Sequence, residues 1–414
     1  MKKLTAFLVC LLLLLSAGCG EGSANSEDSA AQTQSTSVTT TTTTSTQTEA
    51  QTTTTAATTV TTTAAPTTTA KPQPALCGVC GKAGVVKGSA YCATCKCTVC
   101  NDRKRTPQDA GCEKHNCALA ACPQKAQVTG GYCQAHGCAH KGCTQQKTVD
   151  FGYCTDHNVL DILIFSGQSN MAGSTEGVPY PNDPVPGAVE FRSLTGSFQP
   201  LVHPVGEVLG GDLLTGGNNG SPVPYTCAAY TAASGRQAVA IHVAQGATRI
   251  DQWLKGTDRY TIAVDKIQAG IRKAEEVGKI GRIVMVWLQG ESDALNRTSK
   301  EDYMRMMTQF KNDLKQDVGL DTFGIIEVGY FCYTVGWLND RSKEDAKACD
   351  ETIMQAQEEL PRVDKDFVML TQITKVLSLD SAYENPLADG HYTNKGVAII
   401  GEEAGKALAK LVKE

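Results

Sequence analysis

The feature that most limits how this chain can fold is the crowding of its cysteines: of 18 in 414 residues, 13 fall between Cys77 and Cys154. They recur at regular spacing. Cys77-x-x-Cys80 is followed by Cys92-x-x-Cys95, and Cys97-x-x-Cys100 by Cys112-x-x-His115. Cys117-x4-Cys122 then pairs with Cys133-x-x-His136, and Cys138-x4-Cys143 with Cys154-x-x-His157. An odd number of thiols cannot all enter disulfides, whereas adding the three histidines makes sixteen donors in four sets of four. Tetrahedral zinc takes four Cys or His donors, commonly as two close pairs. Residues 75–157 are therefore expected to form four consecutive small zinc units, the first with four Cys and the others with three Cys and one His. Apolar residues are sparse there, so metal would supply most of the folding free energy. The competing reading is a disulfide framework, the usual choice in exported proteins. It gives no reason for His to stand where the repeat needs its fourth donor. Each set is complete, with no open position, so these sites read as structural. His140 falls outside the repeat and reads as a surface histidine.

Ahead of this region, Lys2 and Lys3 precede an apolar run, Leu4 to Leu15, and then Ser16-Ala17-Gly18 before Cys19. This is the pattern of an export signal, too short to span a membrane comfortably. It resembles a bacterial lipoprotein signal, residues 1–18, cleaved so that Cys19 becomes the acylated end. A membrane partner through a lipid anchor and an extracellular, surface-attached location are expected. Residues 19–74 are Ser, Ala, Gln and above all Thr, with an unbroken run from Thr39 to Thr44. Such a segment cannot bury a core and reads as a disordered, solvated linker. A net charge of −5 without a Lys/Arg-rich run argues against a nucleic-acid partner.

From residue 158 the pattern changes. Apolar runs at 160–165, 238–243, 283–288, 323–328 and 367–371 alternate with amphipathic stretches near 260–277, 300–316, 346–359 and 394–412. This is α/β patterning and predicts a three-layer α/β/α domain over 158–414, a parallel sheet with helices on both faces. Chemistry in such sheets sits at the carboxyl ends of the strands. Those ends carry Ser166-Gly167-Gln168-Ser169-Asn170-Met171, then Gln245-Gly246-Ala247-Thr248-Arg249-Ile250-Asp251-Gln252-Trp253, then Trp287-Leu288-Gln289-Gly290-Glu291-Ser292-Asp293. Asp389-Gly390-His391 stands near the carboxyl terminus, before the last helical stretch.

In this order, Gly-Gln-Ser-Asn-Met, Gly-x-Thr-x-Ile-x-x-Trp, Trp-x-Gln-Gly-Glu-Ser-Asp and the late Asp/His block resemble the SGNH-type hydrolases, in their sialate O-acetylesterase and acetylxylan esterase branch. The resemblance covers about 158–414 and none of the cysteine region. It implies a Ser169 nucleophile and an oxyanion site made by the amides of Ser169 and Gly246 and the side-chain amide of Gln289. Asn170, Thr248 and Glu291 are expected beside the substrate, with Glu291 supporting its loop rather than performing chemistry.

A serine hydroxyl attacks an ester only when a base removes its proton, and His391 is the sole histidine in the last third of the chain. An acid must orient the imidazole, and Asp389 is the nearest candidate. The family usually separates acid and histidine by two residues, whereas only Gly390 intervenes here. Either glycine permits a tighter turn, or Asp380 or Glu384 serves, or the site is a Ser–His dyad. The expected activity is removal of acetyl groups from acetylated glycans through an acetyl-enzyme, a cycle that needs no cofactor. Plant polysaccharide such as xylan is the first substrate expected, acetylated sialic acid the second and peptidoglycan the third. A binding protein that works through its zinc array, with a decayed esterase domain, is the rival reading. Trp253, Trp287, His203 and His242 are expected to be structural, and Cys332 with Cys349 to pair, leaving Cys227 free.

Overall fold

The structure is a computed structural model and describes residues 137–148, 150–335 and 341–412, with Ala126 and Gln134. Cys19 and the expected metal donors from Cys77 to His136 lie outside the described residues.

Strand β1, Val159–Gly167, is buried at every position after the first, as a strand covered on both faces must be. Its side chains alternate between two cores. Ile162 and Ile164 point into one, Leu163 and Phe165 into the other. The other strands are β2 (Ala188–Arg192), β3 (Ser197–Pro200), β4 (Gln237–Ala244), β5 (Lys279–Leu288), β6 (Thr322–Ile326) and β7 (Phe367–Thr371). They form one seven-stranded sheet in the order β3-β2-β4-β1-β5-β6-β7. All neighbours run parallel except the edge pair β2 and β3.

The helices are α1 (Ser169–Ala172), α2 (Pro222–Ser234), α3 (Asp258–Glu275), α4 (Glu291–Leu295), α5 (Lys300–Val318), α6 (Phe331–Val335), α7 (Lys343–Val363), α8 (Thr374–Leu377) and α9 (Asn394–Leu411). Stripes from α3, α5 and α7 meet the Ile162 face of the sheet, and α2 and α9 cover the Leu163 face. The long helices start where a hydroxyl satisfies an otherwise unpaired amide. Thr257 accepts from Tyr260, Ser299 from Asp302, Ser342 from Asp345 and Thr393 from Gly396.

All five expected strands and all four expected helices are present. Strands β2 and β3, helix α2 and the short helices α1, α4, α6 and α8 lie outside the expected stretches. β2 carries Glu190 and Arg192, β3 ends in Pro200, and α2 opens on Pro222-Val223-Pro224, which reads as a breaker. Pro222 sits in the first turn, where a missing N–H costs nothing. Trp253 and Trp287 are fully buried and meet edge to face, and His203 and His242 are buried too. The expected Cys332–Cys349 bridge is absent: both are free thiols, as is Cys227. Packing alone accounts for them, since each is buried among apolar neighbours.

Candidate active site

The end of β1 is shaped by Gly167. Its φ is +141°, and a Cβ there would lie 2.0 Å from the Leu288 carbonyl oxygen at the end of β5. Only glycine tolerates both. The turn that follows is tied to β5 by Gln168, whose N–H donates to the Leu288 carbonyl (3.1 Å) and whose Oε1 accepts from the Ser292 amide (3.2 Å). Ser169 therefore emerges as the first residue of α1, half-buried at the strand ends. The capping position belongs to Gln168, so the Ser169 hydroxyl is left for other work. Gly246, just past β4, lies against it: a side chain at 246 would touch Ser169 Cβ at 3.7 Å. Among the described residues, neither the Ser169 nor the Gly246 amide donates to a protein acceptor.

His391 is brought to Ser169 by the loop before α9, with Nε2 2.7 Å from Oγ. Nδ1 lies 3.0 Å from the main-chain carbonyl of Asp389. A carbonyl only accepts, so Nδ1 carries the proton and Nε2 is left with a lone pair facing the serine hydroxyl. Gly390 makes this possible. It has a φ of +73°, and a Cβ there would fall 2.4 Å from the Phe331 ring. The His391 amide closes the turn onto the Ala388 carbonyl (3.2 Å).

The orienting acid therefore differs from expectation. The Asp389 side chain is exposed, and its carbonyl takes the place foreseen for its carboxylate. With one residue between them, the turn points the carbonyl, not the side chain, at the ring. Asp380 instead caps its own turn, accepting from the Ala382 amide (2.9 Å). Glu384 lines the cleft beside His391 without bonding to Nδ1. Burial holds the His391 imidazole below its usual range, against the opposing effect of the hydrogen bond it donates to the Asp389 carbonyl.

Gln289 also departs from the expected role. It is fully buried, and its amide nitrogen donates to the Thr248 carbonyl (2.7 Å) and to Asp293 Oδ2 (2.5 Å). Both hydrogens are thus spent, and none is left for an oxyanion. Asp293 in turn accepts from the Ile250 amide (2.9 Å) and the Thr298 hydroxyl (2.9 Å). Gln289 and Asp293 together bolt the loop after β4 to the loop after β5. Gln289→Ala is accordingly expected to take one of three donors from the buried Asp293 carboxyl and the side-chain donor from the Thr248 carbonyl, and to cost about 1–3 kcal/mol of stability along with activity. A pure oxyanion donor would lose rate without a change in melting temperature, and thermal unfolding beside kinetics separates the two.

Thr248 and Asn170 are committed to the frame rather than open to substrate. The Thr248 hydroxyl donates to the Gln245 carbonyl (2.9 Å) and accepts from the Trp253 indole (3.1 Å). Asn170 donates to Glu291 Oε1 (2.9 Å) and accepts from the Tyr392 amide (3.3 Å), which joins the serine turn to the histidine loop. Burial lifts the Glu291 carboxyl to about 7. Its second oxygen has no hydrogen-bond partner among the described residues, and the side chain lines the cleft with Asn170, Tyr330, Phe331 and His391. Asn385 was not foreseen. Buried, it accepts from the Leu387 amide (2.9 Å) and donates to the Ser174 carbonyl (2.8 Å), while its own amide binds the His391 carbonyl (2.7 Å). An asparagine in a loop gives no sequence sign that it fastens the His391 turn.

At the other end of the described chain, Cys138, Cys143, Cys154 and His157 lie with their donor atoms within 4.8 Å of one another, an arrangement able to hold a metal ion.

A mostly parallel seven-stranded α/β sheet with a serine and a histidine joined at its strand ends is an arrangement able to carry out nucleophilic serine chemistry. The family model described as "Carbohydrate esterase, sialic acid-specific acetylesterase" matches residues 159–366, half of the chain. The chain belongs to that family. The matched span includes Ser169, Gly246 and Gln289 and ends before His391. Solved structures with similar folds include a protein from Arabidopsis thaliana, 20% identical, covering 60% of this chain and 96% of that one at a TM-score of 0.46. Another is a carbohydrate acetylesterase from Xanthomonas citri, 14% identical over 60% of this chain and 55% of that one, TM-score 0.34. A catalytic mutant of an acetylxylan esterase from Geobacillus stearothermophilus is 10% identical over 60% and 93%, TM-score 0.33. No curated protein matches the chain.

Proposed function

We propose that the chain is an O-acetylesterase of acetylated glycans that works through Ser169 and His391, with the Asp389 carbonyl rather than a carboxylate fixing the imidazole. The observation that carries this reading is the 2.7 Å contact of His391 Nε2 with Ser169 Oγ, with Nδ1 committed to a carbonyl. As Oγ attacks the acetyl carbon, its proton passes to Nε2. The negative charge that develops on the acetyl oxygen is received by the Ser169 and Gly246 amides. The imidazolium then returns the proton to the departing sugar oxygen, leaving an acetyl-enzyme. Water, deprotonated by the same nitrogen, attacks it, and acetate leaves as Ser169 regains its hydrogen. Plant polysaccharide such as xylan is the first substrate proposed, with sialic acid esters second and peptidoglycan third. Acetate release from a panel of these glycans tests the reading, and its absence from all of them with a chromogenic acetyl ester also uncleaved would overturn it.

The base must be neutral to accept the serine proton. Since burial lowers the His391 pKa from its ordinary 6.5, kcat/KM should be flat through neutrality and fall only as pH drops below 6.5. A limb rising above pH 7 would assign it to another group, and Glu291→Gln, which keeps the oxygen facing Asn170, should leave the limb in place.

The lipoprotein-type signal supports a lipid-anchored, extracellular enzyme, and the Cys/His repeat of 75–157 supports structural zinc as the bound metal.

A further inference from the structure

We infer that Cys138, Cys143, Cys154 and His157 hold one zinc ion, and that this metal unit is a clasp which buries Phe151 in the esterase core; the inference rests on the zinc reading of the repeat.

The edge lengths of the cluster argue for the metal. With Zn–S near 2.3 Å and Zn–N near 2.0–2.1 Å, a tetrahedral site has S···S edges of about 3.8 Å and S···N edges of about 3.5 Å. Cys143 Sγ and Cys154 Sγ are 3.8 Å apart, and Cys138 Sγ is 3.6 Å from His157 Nδ1. The Cys154 Sγ to His157 Nδ1 edge is shorter, 3.1 Å. A disulfide needs sulfurs about 2.05 Å apart, so the 3.8 Å separation is not one. The surroundings suit thiolates. Each sulfur of the first ligand pair accepts an amide hydrogen from two residues on, His140 N–H to Cys138 (3.4 Å) and Gln145 N–H to Cys143 (3.4 Å). Outer hydrogen bonds of this kind orient metal ligands.

The two ligand pairs are joined by a short hairpin, in which Thr148 N–H donates to the Tyr153 carbonyl and Ala139 N–H to the Gly152 carbonyl, both at 2.8 Å. Between Cys143 and Cys154 stands Phe151, 4% exposed and part of the esterase's larger core cluster. Its ring meets Phe198 of edge strand β3 edge to face at 6.1 Å, and Phe198 meets Phe191 of β2 the same way. Directly after His157, the fully buried Asn158 donates to the Val277 carbonyl (3.0 Å) and accepts from the Lys279 amide (2.8 Å). The ligands thus hold both ends of the loop that delivers Phe151, and the last ligand leads directly into β1. Releasing the metal frees the loop, and the aromatic leaves the core.

The test uses the full mature chain purified under reducing conditions. All three tryptophans, Trp253, Trp287 and Trp337, lie beyond residue 158, so their fluorescence reports unfolding of the esterase region alone. Cys143→Ser should remove one zinc per chain by elemental analysis. Stripping the wild-type chain with a chelator should lower the tryptophan transition by several degrees, on the order of 5–10 °C. Phe151→Ala should lower it as much while retaining its zinc, and chelation should add little further to that variant. Phe151→Leu, a milder change, should fall between. A Cys143→Ser chain with undiminished zinc, or a wild-type chain with less than one zinc, overturns the site. Full zinc with a tryptophan transition that neither chelation nor Phe151→Leu moves overturns the clasp and leaves the zinc reading standing.

Discussion

Ser169→Ala is expected to cut acetyl-ester turnover by roughly 10⁴- to 10⁶-fold, the scale on which removal of an activated serine acts, while leaving the melting temperature nearly unchanged. The structure gives the reason for both halves. Among the described residues the hydroxyl has one partner, His391 Nε2 at 2.7 Å. It caps no helix, since Gln168 holds that position. Alanine keeps the Cβ that faces Gly246 and the amide proposed for the oxyanion site. Binding of the glycan should therefore survive, seen as an unchanged Kd in calorimetry with a non-hydrolysed acetylated oligosaccharide. Turnover above a few per cent of wild type would remove Ser169 from the chemistry.

His391→Ala should cost a comparable factor, about 10⁴-fold or more, because among the described residues no other histidine is bonded to the serine. The informative comparison is Asp389→Asn. In a Ser-His-Asp triad, amidation of the acid costs about 10⁴ in kcat by favouring the wrong tautomer. Here the Nδ1 partner is the Asp389 carbonyl at 3.0 Å, and asparagine keeps it. The expected loss is less than about tenfold, since only the weaker charge effect of an exposed carboxylate is removed. A 10⁴-fold loss in Asp389→Asn would show that the carboxylate turns inward during the reaction and that the triad operates after all. Asp380→Asn and Glu384→Gln should be similarly mild.

Much of this protein is readable in the chain because its strongest signals are local. β1 needs only consecutive apolar residues to be placed between two helical layers, and Ser169, Gly246, Gln289 and His391 all stand where an apolar run or helical stretch meets a polar turn. The sixteen-donor repeat is likewise a matter of spacing, and the last of its four sets closes into a cluster of donors within 4.8 Å. What the chain does not reveal depends on direction. Whether residue 389 offers its carboxylate or its carbonyl is decided by a φ of +73° at Gly390 and by the Phe331 ring that excludes any side chain there. Whether the Gln289 amide faces a substrate or a neighbouring loop is decided by Thr248 and Asp293, one 41 residues away and the other four. That Phe151 belongs to the esterase core follows from Phe198, on a strand whose short, proline-ended sequence gave no sign of itself. Residue type and spacing set which chemistry is on offer, whereas hydrogen-bond partners are assigned only when distant segments compete for the same donor in the folded chain.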